Sequence, residues 1–176
     1  MNTFVKIIKL SEFSYSKVKY YSVILYEKEC IDENTEFYNF LERMENEEKY
    51  ENDLINLLLW LELIGTDYGA QQKFFRPEGI NSDTSALPPP AYLQRVHEIE
   101  VNNLRLYCLR ANENVVFLFN GGIKTTSKAQ DCPNVGHYIK MANIITKKIN
   151  SLFNSDIKWN SDSTDISFDP KQEFEL

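Results

Sequence analysis

Apolar residues recur along the chain in two rhythms, one suited to strands and one to helices. Lys17 to Tyr26 (KVKYYSVILY) is β-branched and aromatic throughout and predicts a strand. Asp32 to Thr35 supplies residues that cap helix N-termini, and Phe37, Phe40, Leu41 and Met44 then fall at i, i+3, i+4 and i+7 as one apolar stripe. A turn near Asn46 to Lys49 leads into a second helix over Tyr50 to Ile64. Its stripe of Leu54, Leu57, Leu58, Leu61 and Ile64 is widened by Ile55, Leu59, Trp60 and Leu63, which predicts a largely buried helix ended by Gly65. A last helix spans Pro133 to Leu152, with Pro in its first turn and Val135, Tyr138, Ile139, Ala142, Ile145 and Ile149 inward.

Between the helical stretches lie shorter strand patterns. Leu104 to Arg110 and the wholly apolar Val115 to Phe119 are joined by Ala-Asn-Glu-Asn, whose asparagines tolerate φ > 0. So short a loop makes the pair an antiparallel hairpin. Val96 to Val101 alternates imperfectly and predicts a further strand. Gly69 to Ala91 is the loosest part, with a polar patch (Gly79, Asn81, Ser82, Asp83, Ser85) and then Pro88, Pro89 and Pro90, an extended connector. Phe4, Ile7, Ile8 and Leu10 predict a short element or an arm over residues 1–16. From Asn154 the chain is polar and acidic with scattered Trp159, Ile166, Phe168 and Phe174, a tail partly ordered at best or draped over the body.

The order strand, helix, helix, strand, strand, strand, helix predicts an α+β fold. Its simplest form is an antiparallel, mixed-edge sheet of about four strands with the helices gathered on one face. The main domain is then 1–153, with the arm 1–16 at its start and the acidic tail 154–176 after it.

Composition changes this picture in one respect. The chain of 176 residues carries a net charge of −7, which taken alone argues against a nucleic-acid binder. The charge is segregated, however: Glu27 to Asp67 holds thirteen acids and three bases, Val101 to Asn150 seven bases and two acids, and the tail from Ser151 six acids and two bases. That distribution fits a cationic site on an acidic scaffold, or acids that merely keep outer helices solvated. Cys30, Cys108 and Cys132 are odd in number and lack metal or disulfide spacing, which points to a reducing cytoplasm. No run of about 18 apolar residues predicts a membrane span, and no cleavable leader pattern opens the chain.

Phosphate loops, zinc motifs and nucleophile elbows are missing from the sequence, so no metal or cofactor is implied. With only His97 and His137, a histidine-paired mechanism is poorly supplied. His97 is the better acid–base candidate because its ordinary pKa lies near neutrality; a lone histidine is more often an ordinary packed or surface residue. Strand alternation puts Arg105, Tyr107 and Leu109 on one face and Leu104, Leu106, Cys108 and Arg110 on the other. Tyr107 is suited to stacking on a base or to packing. Arg105 is suited to gripping phosphate or to pairing with a helix carboxylate.

The stretch Leu104-Arg105-Leu106-Tyr107, then Phe119-Asn120-Gly121-Gly122-Ile123-Lys124-Thr125-Thr126, then Pro133 resembles the RelE/HigB-like toxins of bacterial toxin–antitoxin pairs. In that family an "LRxxY" strand precedes a strand, an "IKKT" string and a Pro-started helix; here a single residue separates Arg105 from Tyr107. The resemblance is tightest over these thirty residues, and a Thr stands where the family has its second Lys. It implies a toxin held by a cognate antitoxin, cutting mRNA on the ribosome without metal. Arg105 and Lys124 would then carry phosphate charge with His97 as acid–base group, and Lys73, Arg76, Tyr107 and Lys128 would touch RNA. Lys73 and Arg76 match only by position. The alternatives are a ParE-like gyrase-inhibiting toxin and a non-catalytic protein-binding module on the same scaffold.

Overall fold

The structure, a computed structural model, describes residues 2–28, 33–79 and 82–176. Cys30, the cap candidate Asp32 and Asn81 of the polar patch lie outside the described residues. Strand β1 (Thr3–Ser14) and β2 (Lys19–Glu27) form a long antiparallel hairpin. Helices α1 (Glu36–Glu45) and α2 (Glu51–Leu63) follow, then β3 (Arg76–Pro77), β4 (Thr84–Leu87), α3 (Ala91–His97), β5 (Leu104–Arg110), β6 (Val115–Ile123) and α4 (Gly136–Leu152). The last segment contributes the pair β7 (Lys158–Trp159) and β8 (Ile166–Ser167), and β9 (Phe174–Glu175).

The α+β class stands, with a larger sheet than four strands. Seven strands run in the order β3-β4-β5-β6-β2-β1-β9, all neighbours antiparallel but for the parallel pair β2–β6. The helices do not gather on one face. Val116 and Leu118 of β6, with Leu104, Leu106 and Cys108 of β5, pack on α1, α2 and Leu93 of α3. Val115, Phe117 and Phe119, with Tyr107 and Leu109, pack under α4 and the C-terminal segment. Alternating apolar residues on both faces require both faces to be covered. Each is.

Three local expectations change, and the tail takes the second of its two expected forms. Residues 3–14 are a full strand rather than an arm, with Val5, Ile7 and Leu10 buried. The fourth strand is Thr84–Leu87 and not Val96 to Val101; the latter stretch holds the end of α3, closed by Glu98 at φ 57. Gly65 does not end α2, which continues as a π-helical turn over Ile64–Tyr68. The missing side chain of Gly65 instead leaves room for the Tyr15 ring, and Gly69, at φ 74, supplies the stop. The tail is folded on the body: Ile157, Ile166 and Phe174 are buried and β9 covers the outer edge of β1.

Candidate functional site

The sheet carries one irregularity that matters for the site. Cys108 pairs with Leu118, yet Leu106 pairs with Gly121, so β6 holds an extra residue at the bulge. Asn120 stabilises it: its Oδ1 accepts from the Gly121 N–H (2.9 Å) and from the Arg43 guanidinium of α1, and its Nδ2 donates to Glu36 (3.1 Å). Gly121 lies so close to Arg105 that a Cβ would run into the Arg105 carbonyl. Beyond the bulge Arg105 pairs with Gly122, and the Lys124 N–H donates to the Asn103 carbonyl at 2.7 Å. Arg105, Tyr107, Gly122 and Lys124 therefore share one face by alternation.

At the end of the sheet, where β5 begins, the chain builds a concavity of about 280 Å³. Its cations come from three elements: Arg76 of β3, Arg95 of α3 and Arg105 of β5. Gln94 braces the wall. It is buried, donates to the Pro89 carbonyl (2.8 Å) and accepts from the Val101 N–H (2.8 Å). Arg76 donates to the same carbonyl (2.9 Å). Asp53 of α2 anchors the approach to β5 by accepting from the Asn102 and Asn103 N–H groups (3.1 and 2.8 Å). Glu100 is the carboxylate lining the concavity, and Asn102 completes its rim.

Arg105 is 8% exposed, its Nη1 donates to the Leu104 carbonyl (2.8 Å), and its Nε is buried with no partner among the described residues. Burial lowers its pKa, with Glu78, Tyr107 and Asp53 acting the other way. Burial also lowers that of Arg76, and the neighbouring charge of Arg105 lowers it further. Both guanidiniums stay charged at any ordinary pH. Glu78 acts on both arginines in the opposite sense, so the pair forms a partly desolvated cationic site with one carboxylate close by. Tyr107, next on the same face, is fully buried, and its hydroxyl has no partner among the described residues. Burial first, then Glu78, pushes its pKa up, so it stays protonated.

The chain matches no family model, no curated protein and no solved structure.

Of the sequence candidates, Arg105 and Arg76 come together in the concavity. Tyr107 and Lys124 share the face without lining it. His97 does not join them: its ring packs against Trp60 (5.2 Å), Tyr68 (5.3 Å) and Phe74 (6.4 Å), and its Nδ1 lies 3.3 Å from the Tyr68 hydroxyl. Arg95, two positions earlier on α3, lines the concavity instead. Lys73 is exposed with its ammonium over the Phe74 ring (5.2 Å), and Lys128 is exposed before a short 3₁₀ turn. Sequence patterns missed Arg95, Gln94 and Glu100; the signal available was the Pro88–Pro90 run, since Pro begins helices readily. They also missed Cys132, sealed under Thr125. Burial pushes its thiol pKa up, but hydrogen bonds from the Thr125 side chain and from the Thr125, Asn134 and Val135 backbone outweigh this and bring it to about 6. No helix among the described residues is long and apolar enough to cross a membrane, and no group of three or more His, Cys, Asp or Glu among them is placed to hold a metal.

Proposed function

We propose that the Arg76–Arg95–Arg105 concavity grips a phosphodiester of an RNA strand. We further propose that the chain is, as residues 102–133 imply by resemblance, the toxin of a toxin–antitoxin pair that cuts mRNA on the ribosome. One observation carries this: three arginines from separate elements converge on a braced hollow, and the most buried one keeps an unpaired N–H. The hollow, just under the range of about 300–1,000 Å³ for small-molecule sites, suits one phosphorylated unit rather than a duplex.

Metal-independent cleavage forms a bond between the 2′-oxygen and phosphorus and breaks the bond from phosphorus to the 5′-oxygen. A base must take the 2′ proton, the 5′-oxygen must gain one, and cations must hold the crowded phosphoryl oxygens. Arg105 and Arg76 fill the last role, because a planar fork matches two phosphate oxygens. Glu100, the carboxylate of the lining, takes the 2′ proton in this reading. His97, held edge-on among aromatic rings, does not line the concavity and does not return one, so the leaving oxygen draws its proton from water. Chemistry so supplied is slow unless the RNA is held rigidly, which agrees with the ribosome dependence that the resemblance implies.

The test is cleavage of mRNA on translating ribosomes by the purified chain, with growth arrest on expression as the cellular measure. Arg76→Ala with Arg105→Ala abolishes both, and His97→Phe leaves both intact. A wild-type chain that neither arrests growth nor cuts mRNA overturns the nuclease assignment. The position of His97 favours a second possibility, a non-catalytic RNA-binding module. It is distinguished by RNA affinity that depends on Arg105 without any cleavage.

A further inference from the structure

Away from the arginine concavity, the junction of α1 and α2 opens a groove of about 710 Å³. Met44 of α1 and Leu54 and Leu58 of α2 line it, and Ile55 stands in its wall 54% exposed. Leu59, one turn further along α2, is 36% exposed and continues the Ile55 stripe. Three exposed carboxylates, Glu45, Glu48 and Glu51, rim the groove. None of the three side chains has a hydrogen-bond or ion-pair partner among the described residues. An apolar i, i+4 pair facing water beside unpaired acids is the form of a helix-receiving surface: the apolar wall gives affinity and the rim selects charge.

We propose that this groove docks a basic amphipathic helix from a partner protein, its apolar face against Ile55 and Leu59 and its Lys or Arg residues against Glu45, Glu48 and Glu51. A second copy of this chain is the wrong occupant, because a symmetric contact would set acidic rim against acidic rim. The stretch Glu27 to Asp67, with thirteen acids against three bases, deepens that repulsion. The docking stands independently of RNA cleavage, since the groove shares no residue with the arginine concavity.

The probe is a fluorescein-labelled synthetic helix with Leu at i, i+3, i+4 and i+7 and Lys elsewhere, titrated with the full chain and read by anisotropy. Its control carries Glu in place of Lys. The wild-type chain binds the basic helix and not the acidic one. Ile55→Asp weakens binding about tenfold, the loss expected when one apolar anchor is replaced by a charge. Glu48→Lys with Glu51→Lys, both at exposed positions, loses the basic helix and gains the acidic one. Three outcomes overturn the proposal: no binding by wild type, binding indifferent to Ile55→Asp, or equal binding of both helices. Self-association of the wild-type chain that Ile55→Asp abolishes overturns it too, by making a second copy the occupant.

Discussion

Replacing Arg105 with Met separates a ligand-gripping arginine from a structural one, because the two roles predict opposite signs of stability change. Arg105 is 8% exposed and its Nε is unpartnered. Met keeps an unbranched apolar stem and removes the charge. Removing an unsatisfied buried donor recovers about 1–3 kcal/mol, and losing the bond to the Leu104 carbonyl costs about 1 kcal/mol. The net is between no change and about 2 kcal/mol of added stability, or a Tm raised by up to about 6 °C for a chain of this size. The folded-state pKa of Arg105 is depressed by burial, so the charge costs stability wherever it is present. It is present at every accessible pH, so the gain does not vary with pH. RNA affinity falls, because a charge-assisted hydrogen bond of about 1.5–3 kcal/mol corresponds to about 10- to 150-fold. Calorimetry and anisotropy with labelled single-stranded RNA read the two effects separately. A Tm lowered by about 6 °C or more refutes the reasoning: breaking a buried ion pair costs about 3–5 kcal/mol, and Arg105 would then be the partner of a carboxylate.

His97→Ala loses the edge-on contacts with Trp60, Tyr68 and Phe74 and costs about 1–3 kcal/mol in urea unfolding, while RNA affinity stays within about twofold. Gly121→Ala drives a Cβ into the Arg105 backbone, which has no side chain to swing aside, and costs about 3 kcal/mol or more. Gly122→Ala meets the Asn134 carbonyl and Val135 at 3.2 and 3.3 Å and costs about 1 kcal/mol, so the order of the two denaturation midpoints is the check. Asp165 ties the C-terminal segment to the sheet through Lys9 (2.8 Å) and Tyr21 (2.5 Å). Burial pushes its carboxyl up, but Lys9, Tyr21 and the Ile166 N–H hold it below the usual value. The stabilisation is therefore complete above the unfolded carboxylate value of about 3.9 and is lost as pH falls through the folded value. Limited proteolysis finds the segment protected at neutral pH and released in acid, and in Asp165→Asn the release is already present at neutral pH.

The long periodic segments were legible before any coordinates. Leu104–Arg110 has the boundaries expected from its composition, and α1 and α4 bury most of the stripes that their spacing announces. Helix α2 buries Leu54, Leu57, Trp60 and Leu61 but leaves Ile55 and Leu59 exposed, so it is less buried than expected. The short elements were not legible. Thr84–Leu87 sits in a polar stretch and becomes a strand because Ser85 and Ala86 pair with Cys108 and Tyr107; such long-range pairing leaves no local pattern. Val96, with β propensity, ends a helix that starts directly after Pro90, and it is 73% exposed. Tertiary context overrode propensity there, and Arg95 went unnoticed as a result. Arg105 was visible as the one cation on its face of a largely apolar strand. Its neighbours Arg76, Arg95 and Glu100 come from segments whose convergence depends on the fold.

The bulge at Asn120 explains how the cationic face can be assembled on so acidic a scaffold. Were the Cys108–Leu118 register continued unbroken, Arg105 would pair with Gly121, and alternation would hand Lys124 to the α1–α2 face. One extra residue reverses that parity and returns Lys124 to the side of Arg105 and Tyr107. The extra residue is held from the opposite layer: Arg43 of α1 bonds both the Asn120 side chain and the Gly121 carbonyl, and its guanidinium stacks on Tyr138 of α4 at 4.6 Å. Glu36, at the start of α1, binds the other end of the Asn120 amide. An acidic helix on one face of the sheet therefore determines which cations stand together on the other. Arg43 and Glu36, one base and one acid of α1, hold the register that keeps Lys124 on the side of Arg105.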